Sequence, residues 1–153
     1  MPERLEAVST LPDASDTFAC VIDADSADAH TAERWARAVI ERAPALLRCF
    51  IVAGWVGGLW LRLGPRRAPD HILGWRIMSN TPSVVVFGVE SFTLTARLVV
   101  EVDASSVVHA TFVRYDRRLG RVAWRVAAPI HRRVIPFLLQ RASRILAVSA
   151  GTS

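Results

Sequence analysis

The strongest constraint on the fold is a change of hydrophobic period along the chain. Over 72–115 the sequence reads as strands, in four runs rich in Val, Thr, Phe and Trp: ILGWRIM, SVVVFGVE, FTLTARLVVEV and SVVHATFVRY. They are separated only by SNTP, Ser91 and DAS, which carry turn chemistry. Connections this short imply antiparallel neighbours. In the third run Leu94, Ala96, Leu98, Val100 and Val102 alternate with Thr93, Thr95, Arg97 and Glu101. That alternation predicts a sheet with one dry face and one wet face.

After the strands the period becomes helical. Between Gly120 and Leu146, Arg121, Arg125 and Arg132 fall on one side, and Ala123, Ile130, Val134, Phe137 and Ile145 on the other. Pro129 and Pro136 interrupt this pattern, and each costs roughly 3 kcal/mol in a helix interior. The expectation is a helix restarted at Pro129, or kinked there and again at Pro136. Before the strands, FACVID (18–23) reads as a first strand, and Thr31 or the preceding Ser/Asp residues can cap a helix over Ala32 to Arg42. Pro44 ends it, a second helix is expected from Ala45 to Leu63, and GPRRAPD follows as a loop. Residues 1–16 are polar and expected to be loosely ordered.

A sheet with one apolar face and a long amphipathic terminal helix satisfy each other when the sheet curls around the helix. The predicted class is therefore α+β. This order of elements, together with the stretch WRVAAPIHRRVIPFLLQRA from Trp124 to Ala142, resembles the helix-grip fold of the START/SRPBCC superfamily. The closest resemblance is to an uncharacterised SRPBCC-type family whose domains end in a W-x4-P-x-H helix motif, here Trp124, Pro129 and His131. The likeness in order covers about 17–147; only the motif is residue-specific, and fewer strands are legible than the usual seven. It implies one START-like domain over 1–153 that encloses an apolar cavity for a hydrophobic small molecule or lipid. Known members of the superfamily also include cyclase- or hydratase-type enzymes, so a pocket His acting as acid/base is the alternative.

Composition bounds the rest. A chain of 153 residues, 52% hydrophobic with a mean hydropathy of +0.29, has more apolar side chains than a small core needs. All 19 basic residues are Arg, so the pI of about 10.8 exaggerates a formal charge of only +5. The charge is uneven: 1–41 hold nine acids and three Arg, and 42–153 hold five acids and sixteen Arg. The Arg-rich C-terminal stretch fits a solvated helix face, or a partner- or membrane-surface-binding module. Nucleic acid is disfavoured, because no nucleic-acid motif accompanies it. The run CFIVAGWVGGLWL (49–61) is uncharged, but thirteen residues fall short of the ~20 that span a bilayer. No span is predicted; a buried or cavity-lining helix is expected, and surface association stays open. The acidic N-terminus lacks the pattern of a signal peptide, which makes the cytoplasm the default location.

Site chemistry is sparse. His30, His71, His109 and His131 are scattered, and Cys20 and Cys49 lack metal-ligand spacing, so neither metal nor cofactor is expected. No phosphate cradle or hydrolase nucleophile motif occurs, and no catalytic residue is assigned. The candidate ligand-binding set is Trp55, Trp75, Phe87, Phe92, His109, Trp124 and His131: aromatic walls with two imidazoles for orientation. A lone His131 reads more readily as a packing residue or a cap for a carbonyl freed by Pro129 than as an acid/base, and the facing of His109 depends on strand register. Oligomeric state and ligand identity stay open.

Overall fold

The structure is a computed structural model and describes residues 14–65 and 67–151. The stretch 1–13, most of the polar segment expected to be loosely ordered, lies outside the described residues. Seven strands form one antiparallel sheet: β1 (Asp16–Asp23), β2 (Arg67–Ala68), β3 (His71–Ile72), β4 (Trp75–Asn80), β5 (Val84–Glu90), β6 (Leu94–Val102) and β7 (Ser106–Tyr115). Their spatial order is β1-β7-β6-β5-β4-β3-β2. Among the described residues three α-helices accompany them, α1 (Ala32–Ile40), α2 (Ala45–Ala53) and α3 (Arg118–Gly151), with a 3-10 turn at Ala27–Ala29. The helix-grip arrangement expected from the sequence is present, with α3 against the inner face of the sheet and packed on α1, β1 and β7.

Two of the seven strands were hidden in the sequence by their brevity. The run ILGWRIM contains a hairpin, in which Ile72 pairs with Trp75 across Leu73 and Gly74. Leu73 (φ 46°) and Gly74 (φ 94°) both take positive φ, as a tight two-residue hairpin turn requires. The remaining short strand, β2, lies inside the stretch read as a loop.

The inner face carries the alternating set predicted for β6, in register with Val107, His109, Thr111 and Val113 of β7 and Val85, Phe87 and Val89 of β5. The outer face departs from expectation. It is not simply wet: Val86, Val99, Ala110 and Phe112 form a second buried cluster there, and Arg97 and Glu101 are nearly buried beside it. Long polar side chains cover apolar neighbours with their stems, a role that a hydrophobic/polar alternation does not reveal.

The helices differ from expectation in instructive ways. Thr31 caps α1 by accepting a hydrogen bond from the Arg34 amide. The second helix stops at Ala53 and gives way to one wider π turn over Gly54–Gly58, well short of Leu63. Gly54, Gly57 and Gly58 cost the helix too much backbone entropy to continue. The terminal helix neither restarts at Pro129 nor stops there; α3 runs unbroken through both prolines. Pro129 and Pro136 are seven residues apart and so share one side of the helix. The carbonyls they leave unpaired, at Arg125 and Arg132, belong to exposed residues that water can reach. Ile130 and Phe137, placed on the inner side by sequence, are about half exposed. The buried stripe is instead Trp124, Ala128, Ile135, Leu139, Ala142 and Leu146. Close approach fixes the start of α3: a Cβ on Gly120 would collide with the Thr93 carbonyl oxygen, which accepts from the amides of Asp116 and Arg117.

Candidate functional site

Between the sheet, the first half of α3 and the α2–π segment lies a cavity of about 410 Å³. Its floor is Leu94, Ala96 and Leu98 of β6 with Thr111 and Val113 of β7, and Trp75 stands at one side. Ala123, Trp124, Ala127, His131 and Val134 form the α3 wall. Ile51, Trp55 and Leu59 form the roof. The cavity exists because small side chains such as Ala96, Ala123 and Ala127 stand on the strand and the helix here, while the roof is only a short helix and the π turn after it. It reaches the surface where half-exposed Phe50, Trp60, Val122 and Val126 line it. Trp60 turns the chain at this mouth with a left-handed backbone (φ 54°) and rests its ring on Phe92, 5.7 Å away.

Of the candidate residues, Trp55, Trp75, Trp124 and His131 line the cavity. Phe87 is fully buried behind Trp75, edge-on at 6.2 Å, and supports the wall without forming it. Phe92 is 48% exposed and lies outside the mouth. His109 faces inward, two residues along β7 from Thr111, but it is completely covered and does not line the space. Residues that sequence reasoning passed over are Phe50 and, beside the Ile130 already placed on the apolar side, the rest of the stripe Leu119, Val122, Val126 and Ile130; Trp60 belongs to the chain's aromatic set but not to the candidate site. That stripe was legible as an i, i+3, i+7, i+11 recurrence, but it was masked by the arginines between its members.

Among the described residues the polar chemistry of the site centres on one pair, beside the Trp75 indole N–H, which is buried with no hydrogen-bond partner. Thr111 Oγ1 and His131 Nε2 share a hydrogen bond of 2.7 Å. The His131 ring packs on Trp124 (5.3 Å) and edge-on to Phe18 (6.0 Å). Trp124 is held in turn by its indole N–H, which donates to Asp16 Oδ2 at 2.7 Å. Arg132 also donates to Asp16, tying α3 to the edge strand. Burial, with a smaller push from the Arg132 charge, lowers the His131 pKa to about 4. The imidazole is therefore neutral at neutral pH and offers a hydrogen bond, not a charge. His109 is lowered further, to about 3, by burial and then by the neighbouring His131. No charged side chain lines the cavity among the described residues. Nor do the described residues contain a cluster of three His, Cys, Asp or Glu suited to a metal ion. No described helix is long and apolar enough to cross a membrane.

No protein-family model and no curated protein matches the sequence. Among solved structures, the chain is similar to truncated norcoclaurine synthase from Thalictrum flavum at 7% identity and a TM-score of 0.36, covering 86% of this chain and 94% of that one. The likeness is one of chain path, too loose to bear on chemistry.

Proposed function

We propose that the chain binds an uncharged, largely apolar small molecule or lipid in the cavity, with one polar group of the ligand meeting the Thr111–His131 pair. The observation that carries this reading is the cavity itself: about 410 Å³, walled by aromatic and aliphatic side chains, with the neutral Thr111–His131 pair as its main polar group among the described residues. Its size falls within the range of pockets that enclose small ligands. A charged ligand is disfavoured, because nothing in the lining would offset its desolvation. The resemblance of the Trp124–Ala142 stretch to SRPBCC-type domains agrees with this role. Acid/base catalysis has less support, because His131 has no titratable partner in the lining and its low pKa makes it a weak base.

Native mass spectrometry of the freshly purified chain tests the reading. The expected result is a bound apolar molecule, displaced by an environment-sensitive apolar dye with micromolar affinity, about −8 kcal/mol. A chain that carries nothing and binds no dye would overturn it.

A further inference from the structure

An apolar stretch of the chain lies largely on the surface. No residue of α2 or of the π turn is buried, and Leu46, Phe50 and Val56 are 88%, 58% and 52% exposed. Across the mouth, Leu119, Val122, Val126 and Ile130 follow one another along α3, and each is about half exposed or more. Exposed apolar side chains gathered on two adjoining elements mark an interaction surface. The cavity opens between them, so the patch and the cavity lining are continuous.

Among the described residues the charge that flanks the patch on its own helices has one sign. Between Ala45 and Gly58 the only ionisable groups are Arg48 and Cys49, and α3 contains no carboxylate at all. Arg118, Arg121 and Arg125 are exposed and lie beside Val122 and Val126 on the helix surface, three or four residues apart. Arg133 continues the line beyond Ile130. The carboxylates at this end among the described residues, Asp16, Glu90 and Asp116, are already paired with Arg132, Arg97 and Arg114. A second copy of the chain would bring two such arginine rows together with no acid to separate them. Phosphate groups complement them, since the guanidinium fork matches phosphate oxygens.

We propose that this face docks on an anionic lipid bilayer. The α2–π segment and the Leu119–Ile130 stripe enter the headgroup layer, and the arginines hold the phosphates. A nine-residue α2 cannot span the bilayer, but an apolar surface flanked by cations lies stably in the interface. The proposal goes beyond the cavity reading. It adds a route by which an apolar molecule passes between bilayer and interior, yet docking is measurable without any ligand.

The test is co-sedimentation of the purified full chain with vesicles of phosphatidylcholine alone, and of an equal mixture of phosphatidylcholine and phosphatidylglycerol. Binding to the mixed vesicles, absent or much weaker on phosphatidylcholine and reduced by salt, is expected. Leu46→Glu with Val126→Glu should cut partitioning by about tenfold or more, and Arg121→Gln with Arg125→Gln by about tenfold. Neither pair should move the unfolding midpoint. A fluorophore on exposed Cys49, in a Cys20→Ala background, should shift to the blue on mixed vesicles. Equal partitioning on both vesicles, or none, overturns the proposal. So does a concentration-dependent dimer that Leu46→Glu with Val126→Glu dissolves, because the face would then belong to a second copy. If vesicles bind but no apolar dye does, the cavity reading fails and docking stands; dye binding without vesicle binding overturns docking alone.

Discussion

The two ends of α3 meet the same sheet in different ways. At the C-terminal end, Ile135, Leu139, Ala142 and Leu146 are buried, and the helix packs on α1. Trp35, Val39 and Ile40 of α1 are equally buried, and the Trp35 indole donates to the Ala27 carbonyl at 2.9 Å. Backbone contacts close this end further: His30 Nε2 lies 3.2 Å from the Leu146 carbonyl, and Arg141 donates to the carbonyl of Arg42. At the N-terminal end, small residues on the helix face a cavity, and no residue of the covering segment (α2 and the π turn) is fully buried, although Ile51, Val52 and Trp55 pack partly against the core. One helix thus serves as a plug at one end and as a wall at the other. Packing is dense where α1 fills the grip, and the open space lies where it does not.

Substitutions should separate the two ends. The largest effect is expected at the closed end, where Leu139→Ala removes a fully buried side chain away from the cavity and should cost ~2–5 kcal/mol of unfolding free energy. Dye affinity, measured under native conditions, should hardly change. A parallel loss of binding would show that the ends are not independent.

Acid should weaken the wall next. Both His131 (about 4) and His109 (about 3) titrate below the ordinary histidine value of 6.5 in the folded chain. Below pH 6.5 the unfolded chain takes up protons that the folded chain refuses, so stability is complete above that pH. It falls as the pH drops toward 4, and His131 accounts for on the order of 3 kcal/mol at ~1.4 kcal/mol per unit. Urea unfolding of the wild type and of His131→Phe at pH 7 and pH 4.5 checks this: the variant should lose less on acidification. Equal losses would place the sensitivity elsewhere.

The prediction of helix-grip architecture succeeded because it rested on long, regular elements. Period-2 alternation in β6 and β7 and period-3.6 patterning in α3 survive any local irregularity. What failed was local and short. The Leu73–Gly74 turn was missed because a leucine occupies a positive-φ position where Asn or Asp is the usual signal. The prolines suggested a restart or kinks because propensity charges them against an isolated helix, whereas α3 runs on without a restart, and the residues whose carbonyls they leave unpaired are exposed. The site was legible in type and only partly in membership. Trp55, Trp75, Trp124 and His131 share a cavity, but one more rung of register separates Thr111, which lines it, from His109, which does not. Sequence shows which face a strand residue takes, not how far along the strand the helix leaves a gap.

A smaller effect should mark the polar pair. Thr111→Val keeps the shape of the side chain and removes one hydrogen bond with His131, worth ~1 kcal/mol. Affinity for a ligand bearing a hydroxyl or carbonyl should fall several-fold, while affinity for a purely apolar dye should not; calorimetric titration with a matched pair of ligands reads the difference. Smallest of all is the open end itself. Leu46→Ser, at 88% exposure, should change unfolding free energy by no more than ~0.5 kcal/mol. A larger loss would show that the covering segment is a structural part of the core and not a roof over a binding space.

The central claim, an open space between sheet and helix that receives an apolar molecule, is tested most directly by filling it. Ala127 lines the cavity from α3, and Ala127→Trp would place an indole in the space. Dye titration and thermal unfolding on the wild type and this variant give the answer together. The account predicts micromolar binding by the wild type, binding abolished in Ala127→Trp, and an unfolding midpoint equal to or above that of the wild type. Undiminished dye binding by a folded Ala127→Trp would contradict it, because the molecule would then bind somewhere other than this cavity.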